Sequence, residues 1–332
     1  MKETEHEMKN KTEYEAVDWL LSNSATLVDD EINTIAHWQR LLKPRLSAWP
    51  EAIDRAIIAG FFSDRLAYAF LSGYENALQK HFKVLPEQSL AAFCVSEKDG
   101  SRPRAMKTFL TRDKNTKDYV LNGQKSFVTC AEEAECLIIA AVLSENENTK
   151  EQDTERPSPE KPNIKLAIIK ANTPGLSVTG SPDLPFIPEI KKGSLTLNNV
   201  KVKPQNILPG DGYSAYIKPF SCIEGVYILA ASAAHLFRLA CLFKWPNALR
   251  EQILSILFSA KQLEQGDMCS PAAEIIISGV KAQLKVITET SKPLWAAMPE
   301  QHQQRLMRDC GMFFMSDKAH LVRLERAWQH YH

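Results

Sequence analysis

The chain has no surplus of charge of either sign: 40 lysines and arginines balance 40 aspartates and glutamates among its 332 residues. That balance offers no basic field for nucleic acid or for an anionic membrane surface. No uninterrupted apolar run reaches the ~18 residues that would span a bilayer. Residues 1–11 are charged and lack the apolar core of a signal peptide, so no membrane span and a cytoplasmic location are expected. The seven cysteines include no Cys-x-x-Cys pair and have no histidine at metal-ligand spacing. An odd count in a reducing compartment predicts buried free thiols, no disulfide framework and no metal site. No Gly-x-Gly-x-x-Gly follows a strand-like run, which leaves a Rossmann site unsupported. No internal repeat is found.

What is present falls into three blocks. Hydrophobic residues make up 44% of the chain, an ordinary share for a globular protein, and two or three domains of ~100–200 residues are expected. Residues 1–90 carry helical periodicity. Asp18-Trp19-Leu20-Leu21 opens a first amphipathic segment, and Pro50 suits the first turn of a longer one. Across residues 52–82, Leu66, Phe70, Tyr74 and Leu78 form one stripe, with Gly60 and Gly73 as points where the run divides into two helices.

Residues 91–208 read as strands. Candidates are 90–95, 106–112, 119–129, 136–143, 164–170 and 193–202, rich in β-branched and aromatic residues. Asn122-Gly123 is a hairpin signal, and Pro174-Gly175 marks a turn. Residues 144–162 are charged and nearly free of apolar side chains, which predicts a surface loop inside the domain. Helical period returns over 209–332, with candidate helices at 216–243, 247–265, 271–295 and 300–331. Trp245-Pro246 ends the first, and Asn247 is the N-cap candidate of the second. Blocks of helices, then strands, then helices argue for an α+β protein and against a doubly wound sheet.

The most informative stretch is 93–129. It reads Phe93-Cys94-Val95-Ser96-Glu97-Lys98-Asp99-Gly100-Ser101, and later Asn122-Gly123-Gln124-Lys125-Ser126-Phe127-Val128-Thr129. Two strand-like runs each end in small or hydroxyl-bearing residues, which let a backbone approach a flat, polar-edged ligand. A hairpin with Phe127 in an apolar core would carry the same pattern.

These segments resemble the flavin-binding middle domain of the acyl-CoA dehydrogenase family, and the three-block plan resembles that family's as well. The resemblance covers most of the chain and is specific over residues 91–232. It is carried also by Leu85-Pro86-Glu87, Pro174-Gly175-Leu176, residues 195–208 and Pro209-Gly210-Asp211-Gly212. It implies an N-terminal helical domain, a β-barrel-like middle domain and a C-terminal helical bundle. FAD is the implied cofactor, an acyl-CoA the implied substrate, and a dimer or tetramer the implied assembly.

By that resemblance the backbone of Phe93, Val95 and Ser96 lies beside the flavin ring. The Ser96 hydroxyl replaces a threonine and donates to the pyrimidine edge. Gly100 and Ser101 fall where the family contacts flavin pyrophosphate or acyl-CoA. Phe127 takes the slot of a tryptophan packed on the ring, and Thr129 that of a hydroxyl near the hydride-accepting nitrogen. Isoalloxazine, with an apolar face and one polar edge, suits an aromatic wall and fixed donors. Lys98-Asp99 replace a Pro-Gly pair, and Arg102 stands where an acid is usual.

The family reaction removes a proton alpha to a thioester carbonyl and passes the beta hydride to flavin. The late Glu-Gly that supplies the base in most members is absent. Ile223-Glu224-Gly225 sits where a branched-chain subgroup carries it, so Glu224 is the candidate base. A carboxylate buried there would have its pKa raised, which suits the task. The alternative for Glu224 is a carboxylate stabilised by a helix N-terminus. The family's Arg followed by Phe-Gly, expected near residues 243–250, and its paired late glycines are missing. Leu306-Met307-Arg308-Asp309 matches a family Arg-Asp.

His235 and His320 read as packed or surface histidines. Lys191-Lys192, Lys201 and Lys203 read as solvated charges before a phosphate site, and Arg323, Glu325 and Arg326 as a solvated helical face. The expected function is an FAD-dependent acyl-CoA dehydrogenase-like oxidoreductase. Two rivals are an inactive relative serving as a binding or assembly module, and a flavin monooxygenase on the same fold.

Overall fold

A computed structural model of the protein describes residues 15–24, 31–100, 102–144, 162–314 and 318–332. Ser101 and most of the expected loop at 144–162 lie outside the described residues. The chain forms two compact units. One is Ala77–Glu224; the other combines Met1–Asn76 with Gly225–His332.

The first unit holds the strands. Among the described residues they are β1 (Ala91–Cys94), β2 (Phe109–Arg112), β3 (Tyr119–Thr129), β4 (Cys136–Ser144), β5 (Ile164–Lys170), β6 (Leu176–Gly180) and β7 (Lys192–Val202). They pair in the order β1-β4-β2-β3-β7-β6, with β5 on the other side of β4. β1 and β2 run parallel to β4, and every other pairing is antiparallel. β4 is buried continuously from Cys136 to Ala141, as expected of an apolar run covered on both faces. β7 instead alternates, burying Leu195, Leu197, Val200 and Val202 against Leu121, Leu137 and Ile139 of the core.

Asn122-Gly123 is not the hairpin turn its sequence predicts. The turn lies at residues 113–118, closed by Asp113 N–H to Asp118 O at 2.9 Å. Gly123 sits inside β3 at φ +139°, where a Cβ would strike Thr108. Close approach, not a turn, is what requires glycine here. The Asn122 side chain accepts from Asn199 N–H on β7 at 2.8 Å, beside a shift in strand register. β6 also carried too weak a pattern to be read.

The second unit is helical. It contains α1 (Glu15–Asn23), α2 (Ile35–Leu46), α3 (Ala52–Phe62) and most of α4 (Leu66–His81). It also holds the greater part of α5 (Lys218–Leu242), with α6 (Asn247–Gln265), α7 (Pro271–Trp295), α8 (Glu300–Asp309) and α9 (Lys318–Gln329). The run at 52–82 does divide in two, but at Ser63-Asp64-Arg65, not at the glycines. Gly60 and Gly73 lie inside α3 and α4, where a Cβ would overlap the α5 backbone at Ala231 and Ile228. Gly60→Ala is therefore expected to cost about 1–3 kcal/mol, read as a lower denaturant midpoint at unchanged slope. An unaltered midpoint would contradict that close helix contact.

Other ends differ in detail. Pro50 precedes the cap residue Glu51, and Asn247 is the first residue of α6, its cap position being Pro246. The expected single helix at 300–331 is broken after Asp309 by a 3-10 turn, Cys310–Phe314. Tyr213–Leu242, a π-helical turn running into α5, is the one described helix long and apolar enough to cross a membrane. Some 78% of its most apolar window is buried within the protein, as in a core helix.

Five of the seven cysteines are buried free thiols, Cys241 is intermediate and Cys269 is exposed. Burial pushes the Cys94 thiol up to about 12, against the opposing pull of Lys125, so it is inert at neutral pH. His235 is packed, with Nδ1 2.9 Å from Ser63 O, and burial holds it neutral, its pKa lowered to about 3.

Candidate functional site

Past β1 the chain continues through Val95, Ser96 and Glu97, and a buried ion pair fixes this segment. Glu97 Oε1 accepts from Lys125 Nζ at 2.8 Å, from Thr108 Oγ1 at 2.7 Å and from Thr108 N–H at 3.0 Å. Its Oε2 accepts from Lys107 N–H at 2.7 Å. The Lys125 ammonium, fully buried, also donates to Val95 O at 3.2 Å. Burial alone would push the Glu97 carboxyl up. The Lys125 charge and the donors around it more than offset that, so it lies below the usual carboxylate range.

From this anchor β3 turns outward. Ser126 N–H donates to Ser96 O at 2.9 Å, joining the two segments. The β3–β7 register shifts between Lys125 and Val128. At that bulge Phe127 adopts φ +60° and is 68% exposed. Cys130 adopts φ +51° three residues later. Left-handed backbone is costly for a phenylalanine, and such strain persists where surrounding structure holds it, often at functional sites. The exposure settles the sequence alternative for this residue: Phe127 does not fill an apolar core. It presents an aromatic face outward.

Thr129, between the two strained residues, is buried. It pairs across the sheet with Lys192, and its Oγ1 accepts from Lys192 Nζ at 2.5 Å. Burial lowers the Lys192 pKa, while the nearby Glu224 carboxylate raises it. Glu224 is partly buried in the second turn of α5, after the π-helical turn Tyr213–Ile217. That position takes it past the first turn, where a helix terminus acts most strongly.

Phe93 projects into an aromatic group. Its ring lies 5.1 Å from those of Phe82 and Phe220. Tyr216 stacks on Phe82 at 5.8 Å, and its carbonyl is bonded to His81 Nε2 at 3.0 Å. Burial lowers the His81 pKa, so the ring is neutral at pH 7 and Nε2–H donates.

Ser96 is thus tied to β3 beside Phe127, Thr129 is bonded to Lys192, and Lys192 lies within the electrostatic reach of Glu224. Val95 adjoins Ser96, its carbonyl occupied by Lys125. Gly100 stands apart in an exposed turn at φ +112°, bonded both ways to Glu97 and with open space where a Cβ would be. Ser101 lies outside the described residues. Among the described residues no group of His, Cys, Asp or Glu is placed to hold a metal ion.

Two sequence readings are corrected. Lys192 is not a solvated charge, since it reaches Thr129 beneath partial cover. Its signal was its place as the first residue of β7, directly opposite Thr129, which a strand read as starting at Gly193 conceals. Arg323 is not simply solvated either, because its Nε donates to the buried Glu274 carboxylate at 2.8 Å. Lys191 and Lys201 do pair at the surface, with Asp183 and Asp113.

Residues 92–200 match the family model described as acyl-CoA dehydrogenase, middle domain. A probable short/branched chain specific acyl-CoA dehydrogenase of Dictyostelium discoideum is 29% identical over 143 residues, 42% of this chain. These matches support an acyl-CoA dehydrogenase family member, with the family model itself lying on the middle domain. The chain spans about a third (32%) of the length of that curated relative. Among solved structures, the prolyl acyl carrier protein oxidase AnaB aligns at TM-score 0.67 and 17% identity, covering 96% of this chain and 98% of that one. FMN-bound TdsC of Paenibacillus aligns at TM-score 0.64 and 14% identity, covering 96% and 98%. At such identities the likeness is one of fold, and it agrees with the α+β plan of helical ends around a β-rich middle.

The arrangement suits a flavin. Phe127 supplies an uncovered aromatic face. Ser96 Oγ has no hydrogen-bond partner among the described residues. Thr129 and Lys192 add a hydroxyl and a cation near a polar edge. This donor set, with a flat wall and hydroxyls at its margin, is what a tricyclic ring with one polar edge demands.

Proposed function

We propose that the protein is a flavin-dependent oxidoreductase of the acyl-CoA dehydrogenase type, acting on an acyl thioester. The outward-facing Phe127, held at a strained bulge two residues from Thr129, is the observation that carries this reading. The matched middle domain and the structural likeness to an FMN-bound protein support it. We assign FAD as the flavin, a cytoplasmic location and a dimeric or tetrameric assembly. The same reading divides the chain into three domains, 1–90, 91–208 and 209–332, the two helical ones together making up most of the helical unit.

When bound, the flavin supplies a two-electron acceptor. The chain's own residues do the rest. Ser96 Oγ and Thr129 Oγ1 would hold its polar edge, Phe127 would cover one face, and Val95 and Ser96 would set the backbone beside it. Gly100 would lie toward the phosphate end. Glu224 takes the proton alpha to the thioester carbonyl. Phe220, one turn before Glu224 on α5, packs with Phe93, which in turn packs on Phe82, and this apolar surface would limit water around the proton transfer.

The first test is flavin uptake. Purified full-length protein is expected to be yellow, or to become so with added FAD or FMN, at one flavin per chain by absorbance after gel filtration. An acyl-CoA added anaerobically is expected to bleach it. Colourless protein that takes up neither flavin would leave only a binding or assembly module. Flavin that acyl-CoA does not bleach, but that consumes oxygen with another reductant, would move the reading to a monooxygenase.

A further inference from the structure

We propose that Lys192 is a positioning residue for the cofactor: it turns the Thr129 hydroxyl into a fixed donor and places a compensating cation beside the electron-accepting ring. The inference rests on the flavin reading above and concerns a residue that reading does not use.

The geometry gives the first half. Lys192 Nζ can only donate, so the 2.5 Å contact makes Thr129 Oγ1 the acceptor. With one lone pair taken, the Thr129 hydrogen points away from Lys192 and is available to a ligand. A threonine without this neighbour could rotate between donating and accepting. The direct cross-strand pairing of Thr129 with Lys192 holds both side chains on the same face of the sheet. Neither needs an adjustable loop to meet the other.

Charge gives the second half. The carboxylate acting on Lys192 is Glu224 from α5. It favours the ammonium against the cost of its burial. Uptake of two electrons and one proton adds one net negative charge to the site. A cation in partial cover, where the effective dielectric is low, stabilises that added charge. Without Lys192, the Glu224 carboxylate would remain beside the site without its cation and oppose the same change.

The test uses full-length protein loaded with flavin, titrated anaerobically with dithionite against a reference dye. In Lys192→Met the midpoint potential is expected to fall by about 30 mV, a tenfold loss in the two-electron equilibrium. The visible flavin bands are expected to shift as the Thr129 donor is released. Lys192→Gln keeps a donor for Thr129 without the charge, so the potential falls while the bands stay. It also keeps the test open if methionine is not tolerated. Lys192→Arg keeps the charge and is expected to retain the potential. A wild-type potential in Lys192→Gln and Lys192→Met overturns the proposal, even if the flavin-free variants melt earlier, since that pattern marks a purely structural lysine. Wild-type protein that binds no flavin overturns the functional reading, and this inference with it.

Discussion

Glu224→Gln is expected to slow the anaerobic bleaching of bound flavin by an acyl-CoA by about 10²–10⁴-fold, the usual worth of a positioned general base. Flavin content is expected to stay at one per chain. The change is nearly isosteric and removes the capacity to take a proton. It also removes the negative charge that faces Lys192, so the variant's flavin potential is expected to rise while its bleaching rate falls. A lesion in folding or cofactor binding would not produce that opposed pair of effects. Bleaching at the wild-type rate would take Glu224 out of the mechanism and point to a base elsewhere. Rapid mixing of flavin-loaded protein with excess acyl-CoA, followed in the visible flavin bands, reads the rate directly.

How far the sequence discloses this site depends on whether the signal is local. β3, β5, α6 and α7 were readable to the residue because their ends are chemically marked. Ser270 accepts from Ala273 N–H and Pro271 opens α7, so the start of that helix is written in two adjacent residues. Asn122-Gly123 misled because its local chemistry fits a turn, whereas a tertiary approach of Thr108 is what Gly123 serves. Gly60 and Gly73 misled likewise: as helix breakers they mark the wrong points, and only the neighbouring α5 backbone explains them. For the proposed site, Ser96, Phe127, Thr129 and Glu224 are singled out by family pattern. The strain at Phe127 and the partnership of Lys192 with Thr129 are not. Both arise from register between strands about 60 residues apart in sequence, which no window along the chain records.

The Glu97–Lys125 pair is where loss of a single side chain is expected to do most harm to the fold. Lys125→Met removes the ammonium and leaves Glu97 6% exposed beneath the site. Deleting one partner of a buried pair typically costs about 3–5 kcal/mol, because the remaining charge is then uncompensated. The three donors from Lys107 and Thr108 stay in place and soften the loss without cancelling it. The sign of the pH dependence identifies the cause. In the native protein the Glu97 carboxyl lies below its ordinary 4.5, so its contribution is present above that pH and lost as pH falls through the folded value. In Lys125→Met, burial dominates and raises the folded value above 4.5, so the penalty is full at pH 7 and relieved as pH falls and Glu97 protonates. The stability gap between wild type and variant is therefore expected to narrow from pH 7 to pH 4 in urea titrations. A gap that is constant with pH would mean that lost packing, not the stranded carboxylate, sets the cost. Because Lys125 also holds Val95 O, flavin affinity is expected to weaken in the variant even at temperatures where it remains folded. That result would join the stability of the β-rich unit to the shape of the site it carries.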